Sequence, residues 1–235
     1  MTIERDFDLV LDQKVLAATQ GKQFSLLLEK PKFSRIFDEI LTNLPQLYEP
    51  QLIWDIFPVK NISRNSFLLE NGITIGGGPV VHVMKEASEI ILGICTVGIK
   101  FDIQINEYNR SGNNLAVVIL DTIANFLVDQ VRETFFKHIN LKLRNEGKFI
   151  SIPLCPGESE WNISDHEVFF ELLRPEQIGI SLKESMLMIP MKSLSFMIGI
   201  ATQPFELNDK KRCDFCPMQI KCRYSQTELG KTLCN

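Results

Sequence analysis

The chain has 235 residues, 45% of them hydrophobic, so it can bury a full core and suits one domain with an appendage or two small domains. Its net charge of −4 argues against nucleic acid, which requires a clustered basic face, and its apolar runs fall short of a membrane span. The charged N-terminus lacks the core of a signal peptide. We therefore expect a cytoplasmic protein without nucleic-acid or membrane partners.

Residues 1–50 are expected to form an N-terminal helical segment. Apolar residues recur at helical spacing from Leu9 to Leu41, and Pro31 interrupts them, which predicts two or three short helices. Two interpretations stay open for this segment. It forms either a helical layer over the sheet of the main domain or an arm that contacts a partner.

The pattern of residues 51–205 predicts an α+β domain, in which a twisted antiparallel sheet is covered by helices. Apolar residues predict strands at 52–57, 66–75, 90–98 and 193–202. Asn71-Gly72 lies between apolar runs, which predicts a type I′ hairpin turn with positive φ at both residues. Residues 90–98 are almost wholly apolar, so we expect the central strand there, with Cys95 in or across the core.

Three helices are predicted between these strands. They span residues 80–88, residues 101–109 and a long stretch from Leu115 to about Asn145. The long helix has one broad apolar face, which we expect to lie against the sheet. Its carboxylates are expected on the solvated face; they are Asp121, Asp129 and Glu133.

Residues 155–202 form the stretch around which the domain is organised. Pro156-Gly157 predicts a turn, and Asn162 to Asp165 offer cap side chains to a helix that contains Phe169. After Gly179 the apolar period changes to that of strands, which are broken at Pro190. Turn, capped helix and strands thus follow one another as one compact unit.

This unit also carries a resemblance to a known family. The run IGISLKESMLMIPMKSLSFMIGI resembles IGVxLTESxxMxPxxSVSG, the core signature of the activation domain of vitamin B12-dependent methionine synthase. The matching positions are Gly179, Leu182, Glu184, Ser185, Met188, Pro190, Ser193 and Ser195. The chain also resembles stand-alone relatives of that domain, found in corrinoid-using anaerobes, at residues 96–98, 120–129 and 155–161. The resemblance covers residues 52–202, and the C-terminal cysteine motif follows it.

The resemblance implies an accessory protein that assists the reductive reactivation of a corrinoid methyltransferase or corrinoid protein, in the context of methionine biosynthesis. It implies a corrinoid-binding protein or cobalamin-dependent methyltransferase as partner, with cobalamin reached only through that partner. It also implies S-adenosylmethionine as a ligand. The residues implied to bind this ligand are Cys155, Pro156, Gly157, Glu158, Glu184, Met188 and Pro190.

The sequence departs from the family where the ligand is held. In the family, an RxxxGY turn supplies an arginine fork for the ligand's carboxylate and an aromatic ring for its sulfonium. Here Pro153 and Glu158 stand at those positions, and Asn125 replaces an acidic residue of the long helix. Glu158 could instead meet an ammonium or a sulfonium. A non-catalytic binding module without S-adenosylmethionine therefore stays open as an alternative. Whether the chain is an enzyme also stays open, because no self-contained catalytic constellation is visible.

Residues 206–235 predict a metal-binding tail. Cys213, Cys216 and Cys222 lie within ten residues, and Cys234 follows as a fourth ligand, with Cys155 or Cys95 as alternatives. Lysines and arginines between them would lower the pKa of the thiols and offset thiolate charge. An iron–sulfur cluster, a structural zinc ion, and a disulfide or metal-free tail stay open as interpretations.

Overall fold

A computed structural model of the protein describes residues 1–222 except 21, 159, 208 and 219. Its main element is a seven-stranded sheet in which every strand pair is antiparallel, in the order β4-β3-β2-β5-β9-β6, with β1 also paired to β2. The strands are β1 (Thr2–Glu4), β2 (Gln51–Ile62), β3 (Phe67–Leu69), β4 (Thr74–Ile75), β5 (Glu89–Thr96), β6 (Phe149–Ile150) and β9 (Ser193–Ala201). The predicted α+β class is confirmed. The short strands β1 and β6 were not predicted.

Strand β5 lies between β2 and β9, as its apolar run predicts. Its alternate residues Ile90, Leu92 and Ile94 belong to one core cluster, whereas Ile91 and Cys95 belong to the other. A strand buried on both faces has no solvent-facing position, so it shows no polar alternation. Cys95 is fully buried, as predicted.

Gly93 interrupts this apolar run for a steric reason. A Cβ atom at this position would lie 2.3 Å from the Cζ atom of Phe196, on the neighbouring strand β9. The Phe196 ring in turn contacts Phe135 of the long helix, at a centroid distance of 5.6 Å. Glycine is therefore required at this position, because a side chain here would occupy the space of the Phe196 ring.

Replacing Gly93 by alanine should destabilise the fold by about 1–3 kcal/mol, since Phe196 would be forced out of its packed position. Urea denaturation measures this loss. Gly77→Ala is the matched control, because the nearest atom to its added Cβ is Trp161 Cδ1 at an ordinary 3.4 Å. Equal losses in the two variants would show that the close approach to Phe196 is not the cause.

Helices cover one face of the sheet. They are α1 (Gln13–Gln20), α2 (Lys22–Leu28), α3 (Pro31–Leu47), α5 (Lys100–Arg110) and α6 (Asn114–Asn145). Their apolar residues join Ile91, Phe196 and Ile198 in one core cluster, so the N-terminal segment packs on the domain as a helical layer. By length and composition alone α6 could cross a membrane; its most apolar 18 residues have a mean hydropathy of 1.4, and half of them are buried in the protein.

The opposite face is covered by α4 (Val80–Val83) and α7 (His166–Leu173), beside a small two-stranded ladder of β7 (Ser181–Leu182) and β8 (Met188–Ile189). The predicted helix over residues 80–88 is too long. It ends at Val83; the amide of Ala87 bonds to the carbonyl of Met84 in a turn, and the amide of Ser88 bonds to the carbonyl of Ile200 on β9. The hairpin at Asn71-Gly72 is present, but only Gly72 has a positive φ, so the predicted type I′ turn is wrong.

Candidate functional site

A cavity of about 1110 Å³ lies beside the long helix α6. Four other parts of the chain complete its wall: the end of α1, turn residues 157, 158 and 160, residues 191–194 at the start of β9, and the tail between Cys213 and Met218. The polar and charged residues in the wall are Thr19, Gln20, Asp121, Thr122, Asn125, Asp129, Gln130, Glu158, Glu160, Lys192 and Ser193. The organising stretch and the tail, which are distant in sequence, therefore meet at one place.

The turn at Gly157 is held in position by backbone and side-chain bonds. Gly157 has a φ of +86°, a conformation that suits glycine, and its amide bonds to the carbonyl of Trp161 at 2.9 Å. Trp161 is buried, and its indole donates to Asp165 at 2.7 Å. The amide of Gly76 donates to the same carboxylate oxygen at 2.9 Å. Asp165 thus fixes the turn against the chain that follows β4.

The structure places the predicted ligand-binding residues in two groups. Gly157 and Glu158 line the cavity, whereas Cys155 and Pro156, which precede them in the chain, are buried and are not part of its wall. Glu184 is exposed in the turn between β7 and β8, and Met188 is half-buried against the second core cluster. Pro190 is buried, and its carbonyl accepts a 2.7 Å bond from Ser193. The geometry thus brings Gly157 and Glu158 to the cavity, whereas Glu184, Met188 and Pro190 are not part of its wall.

Lys192 is held by two residues of α6 that also line the cavity. Its ammonium group donates to Asp121 at 2.5 Å and to Asn125 at 3.0 Å. The amide nitrogen of Asn125 donates to the other oxygen of Asp121 at 2.9 Å, which fixes which way the amide faces. Asn125, at the position where the family carries an acid, therefore serves as an acceptor for a buried lysine.

Arg132 forms a second charged cluster behind the wall. Its side chain is fully buried and donates to Asp129 at 2.5 Å and Glu133 at 2.9 Å. It also approaches the sulfur of Cys155 at 3.9 Å. Burial opposes the charge, but Asp129, Cys155 and Glu133 raise the pKa of Arg132 above its ordinary value. Asp121, Asp129 and Glu133 keep 45%, 43% and 35% of their side chains exposed, on the solvated side of α6 as expected, and each of them also binds a buried cation.

His166, at the start of α7, joins the turn between β7 and β8 to strand β9. Nδ1 lies 3.1 Å from the carbonyl of Met186, so it must donate, and Nε2 therefore accepts the hydroxyl of Ser195 at 2.9 Å. The neutral ring satisfies both partners. Burial lowers the pKa of His166 from its ordinary value of 6.5.

The stability of the protein should therefore fall in acid through His166. A lowered folded-state pKa means that the unfolded chain takes up the proton first, so stability is lost as pH falls below about 6.5 toward the folded-state pKa. His166→Asn should remove this part of the pH dependence, at a cost of about 1–3 kcal/mol at neutral pH for the lost hydrogen bonds. Urea denaturation between pH 5 and 8 measures both effects, in the range where histidine titrates.

The pH effect should persist in high salt, because burial rather than surface charge causes it. An unchanged acid slope in His166→Asn would contradict the assignment.

Two of the tail cysteines reach the cavity. Cys213 and Cys216 line it, and the amide of Cys216 bonds to the carbonyl of Cys213 at 3.2 Å; Cys222 is half-buried outside the wall. Within residues 1–222, apart from the four gaps, no group of three or more His, Cys, Asp or Glu side chains is arranged to hold a metal. Cys234, the predicted fourth ligand, lies outside the described residues. The metal site therefore stays a prediction.

Cys95 is a poor alternative as the fourth ligand. It is fully buried in the core, and burial raises the pKa of its thiol to about 12. A metal ligand must be the thiolate. At neutral pH Cys95 is therefore a core thiol that contacts the carbonyl of Val128 at 3.8 Å.

The sheet and the helices that cover it define an α+β domain. A ligand-sized cavity lies between its long helix and the turn at Gly157. Comparison of the sequence with protein-family models and with curated proteins gave no match. Among solved structures, the chain is similar to the MetH reactivation domain, whose crystal structure was determined bound to AdoHcy. The TM-score is 0.52 and the identity 17%, and the match covers 81% of this chain and 71% of that one. The chain therefore has the fold of that reactivation domain.

Proposed function

We propose that this protein is an accessory protein that assists the reductive reactivation of a corrinoid-dependent methyltransferase, or of another corrinoid protein. The fold carries the proposal, because 81% of the chain follows that of the MetH reactivation domain and the cavity lies where Gly157 meets the long helix. The sequence resemblance at residues 52–202 points to the same assignment. The partner would be a corrinoid-binding protein, and cobalamin would be met only on that partner.

The cavity has room for S-adenosylmethionine or S-adenosylhomocysteine, and its charge suits such a ligand. Its volume of about 1110 Å³ exceeds that of a typical small-molecule pocket. Asp121 and Asp129 bind Lys192 and Arg132, and Glu158 and Glu160 add further negative charge to the wall, so the wall favours a ligand with positive groups. The ammonium and sulfonium of S-adenosylmethionine are such groups. When bound, this ligand would supply the methyl group that a reactivated corrinoid needs.

The cysteine tail belongs to the same proposal. Cys213, Cys216, Cys222 and Cys234 would hold an iron–sulfur cluster that delivers an electron, or alternatively a structural zinc ion. Metal sites made of thiolates commonly assemble only as the metal binds, because unpaired thiolates repel one another. Since Cys213 and Cys216 line the cavity, a metal held there would lie next to the bound ligand.

Calorimetric titration with S-adenosylmethionine and S-adenosylhomocysteine tests the ligand. Thr122→Trp should weaken binding, because the indole would occupy part of the cavity that Thr122 lines. Thr42→Trp is the matched control: each threonine hydroxyl bonds to the carbonyl four residues earlier in its helix, at 2.8 Å for Thr122 and 2.9 Å for Thr42, but Thr42 lies on α3 outside the wall. If neither compound binds, the alternative of a non-catalytic module with a structural zinc tail is favoured.

Mixing the protein with a cob(II)alamin-loaded corrinoid protein, a reductant and S-adenosylmethionine tests the partner. The visible absorption of the corrinoid protein should change only when this protein is present, and Thr122→Trp should reduce the change. A spectrum that does not respond to the protein would refute the reactivation role.

A further inference from the structure

Lys192 is unusual among the charged residues of the cavity wall. In the described part of that wall it is the one basic residue, and its side chain is only 8% exposed. A buried ammonium group is costly to desolvate, so a lysine is expected at such a position only where it is compensated. Asp121 supplies part of this compensation, but its own side chain is 45% exposed and still reaches solvent.

The backbone of Lys192 is fixed where the chain enters β9. Its carbonyl accepts bonds from the amide of Val97 at 3.2 Å and from the hydroxyl of Thr96 at 3.1 Å. Both residues lie at the end of the central strand region and are buried. The lysine is therefore presented to the cavity by rigid elements, which is what a binding group requires.

One of the three N–H donors of the Lys192 ammonium group has no acceptor among the described residues. The group carries three N–H donors, and the described residues supply two acceptors, Asp121 and Asn125. A nearly buried donor without an acceptor is unfavourable, so the third N–H favours an acceptor that enters the cavity. A carboxylate is the best such acceptor, because the bond is then assisted by charge.

We infer that Lys192 binds the carboxylate of an α-amino-acid group in the ligand, in place of the arginine expected at the buried Pro153. The inference rests on the proposed function, since it deepens the assignment of an amino-acid-bearing nucleoside as the ligand. Pro153 has no donor to offer. Asp129, Glu158 and Glu160, which line the same cavity, suit the ammonium end of the amino acid.

The test compares S-adenosylmethionine with 5′-methylthioadenosine, which has the same nucleoside and a thioether but no amino acid. Lys192→Met keeps the aliphatic stem and removes the charge. It should weaken the binding of S-adenosylmethionine about tenfold or more, the factor expected for one charge-assisted bond, and change that of 5′-methylthioadenosine less than about twofold. Lys192→Arg, which keeps a cationic donor, should retain most of the affinity.

Lys148→Met is the matched control. Lys148 is another partly buried lysine with a carboxylate partner, Glu89 at 2.6 Å, and it lies outside the cavity wall. It should leave the affinity for both compounds unchanged.

The outcomes separate this inference from the proposed function. If folded Lys192→Met binds S-adenosylmethionine as tightly as the wild type, the role of Lys192 is refuted and the ligand assignment stands. If it loses both compounds equally, Lys192 only maintains the cavity, which also refutes the inference. If the wild type binds neither compound, both proposals fail. Should Lys192→Met not fold, tighter binding of 5′-methylthioadenosine than of S-adenosylmethionine by the wild type refutes the inference.

Discussion

Replacing both carboxylates that bind Arg132 should destabilise the protein by about 3–5 kcal/mol, because the double change Asp129→Asn, Glu133→Gln leaves a buried guanidinium without compensation. Arg132 is fully buried, whereas Asp129 and Glu133 are 43% and 35% exposed. The loss of stability therefore arises mainly from Arg132, because its buried guanidinium cannot be hydrated in place of the lost partners. Urea denaturation of the double variant measures this loss.

Arg132→Met should cost less than the double amide variant. It leaves two carboxylates that are already partly hydrated, and it removes the Nε donor, which has no hydrogen-bond acceptor within the described residues. The exposed pair Arg35–Glu39 is the control, with side chains 77% and 64% exposed; Glu39→Gln should give no measurable change. A loss in Arg132→Met as large as in the double variant would show that packing, rather than charge, holds this cluster together.

Much of the fold could be predicted from the sequence because its periodicities are local. The run at residues 90–98 has no polar alternation, which indicated a central strand, and the observed β5 has its alternate residues in the two core clusters. The long helix was likewise predicted from its apolar face. Strands β1 and β6 could not be predicted, since three and two residues are too few to show a period. They form because the edges of β2 and β9 have backbone groups with which β1 and β6 can pair.

The candidate site was only half visible in the sequence. Gly157 and Glu158 were found through their turn and the family resemblance, and both line the cavity. Lys192 was missed, because a lysine after an apolar strand signal is ordinarily a solvated residue. One signal was present: Asp121, Asn125 and Asp129 recur every four residues and so share one face of α6. That face carries the acceptors of two buried cations, and what makes it a candidate site is the cavity, which only the three-dimensional structure shows.

Protein purified without oxygen should contain one metal centre, and replacing any one of Cys213, Cys216 and Cys222 by serine should release it. The three residues supply thiolates within a short stretch, and loss of one of four ligands commonly abolishes a site that must assemble as it binds. Elemental analysis for iron and zinc measures the centre. Visible absorption with iron identifies an iron–sulfur cluster, and colourless zinc identifies a structural site.

Release of the metal should change the cavity wall but leave the core of the domain folded. Cys213 and Cys216 line the cavity, whereas neither belongs to the buried residues of the two core clusters. The serine variants should therefore bind S-adenosylmethionine more weakly and still unfold near the wild-type temperature. Cys95→Ala is the control: it removes a core thiol whose pKa is raised to about 12, so it should lower stability and keep the metal. Protein with neither iron nor zinc, or a triple serine variant that retains its metal, would remove the electron-delivery step from the proposed function, because the tail would then hold no redox centre.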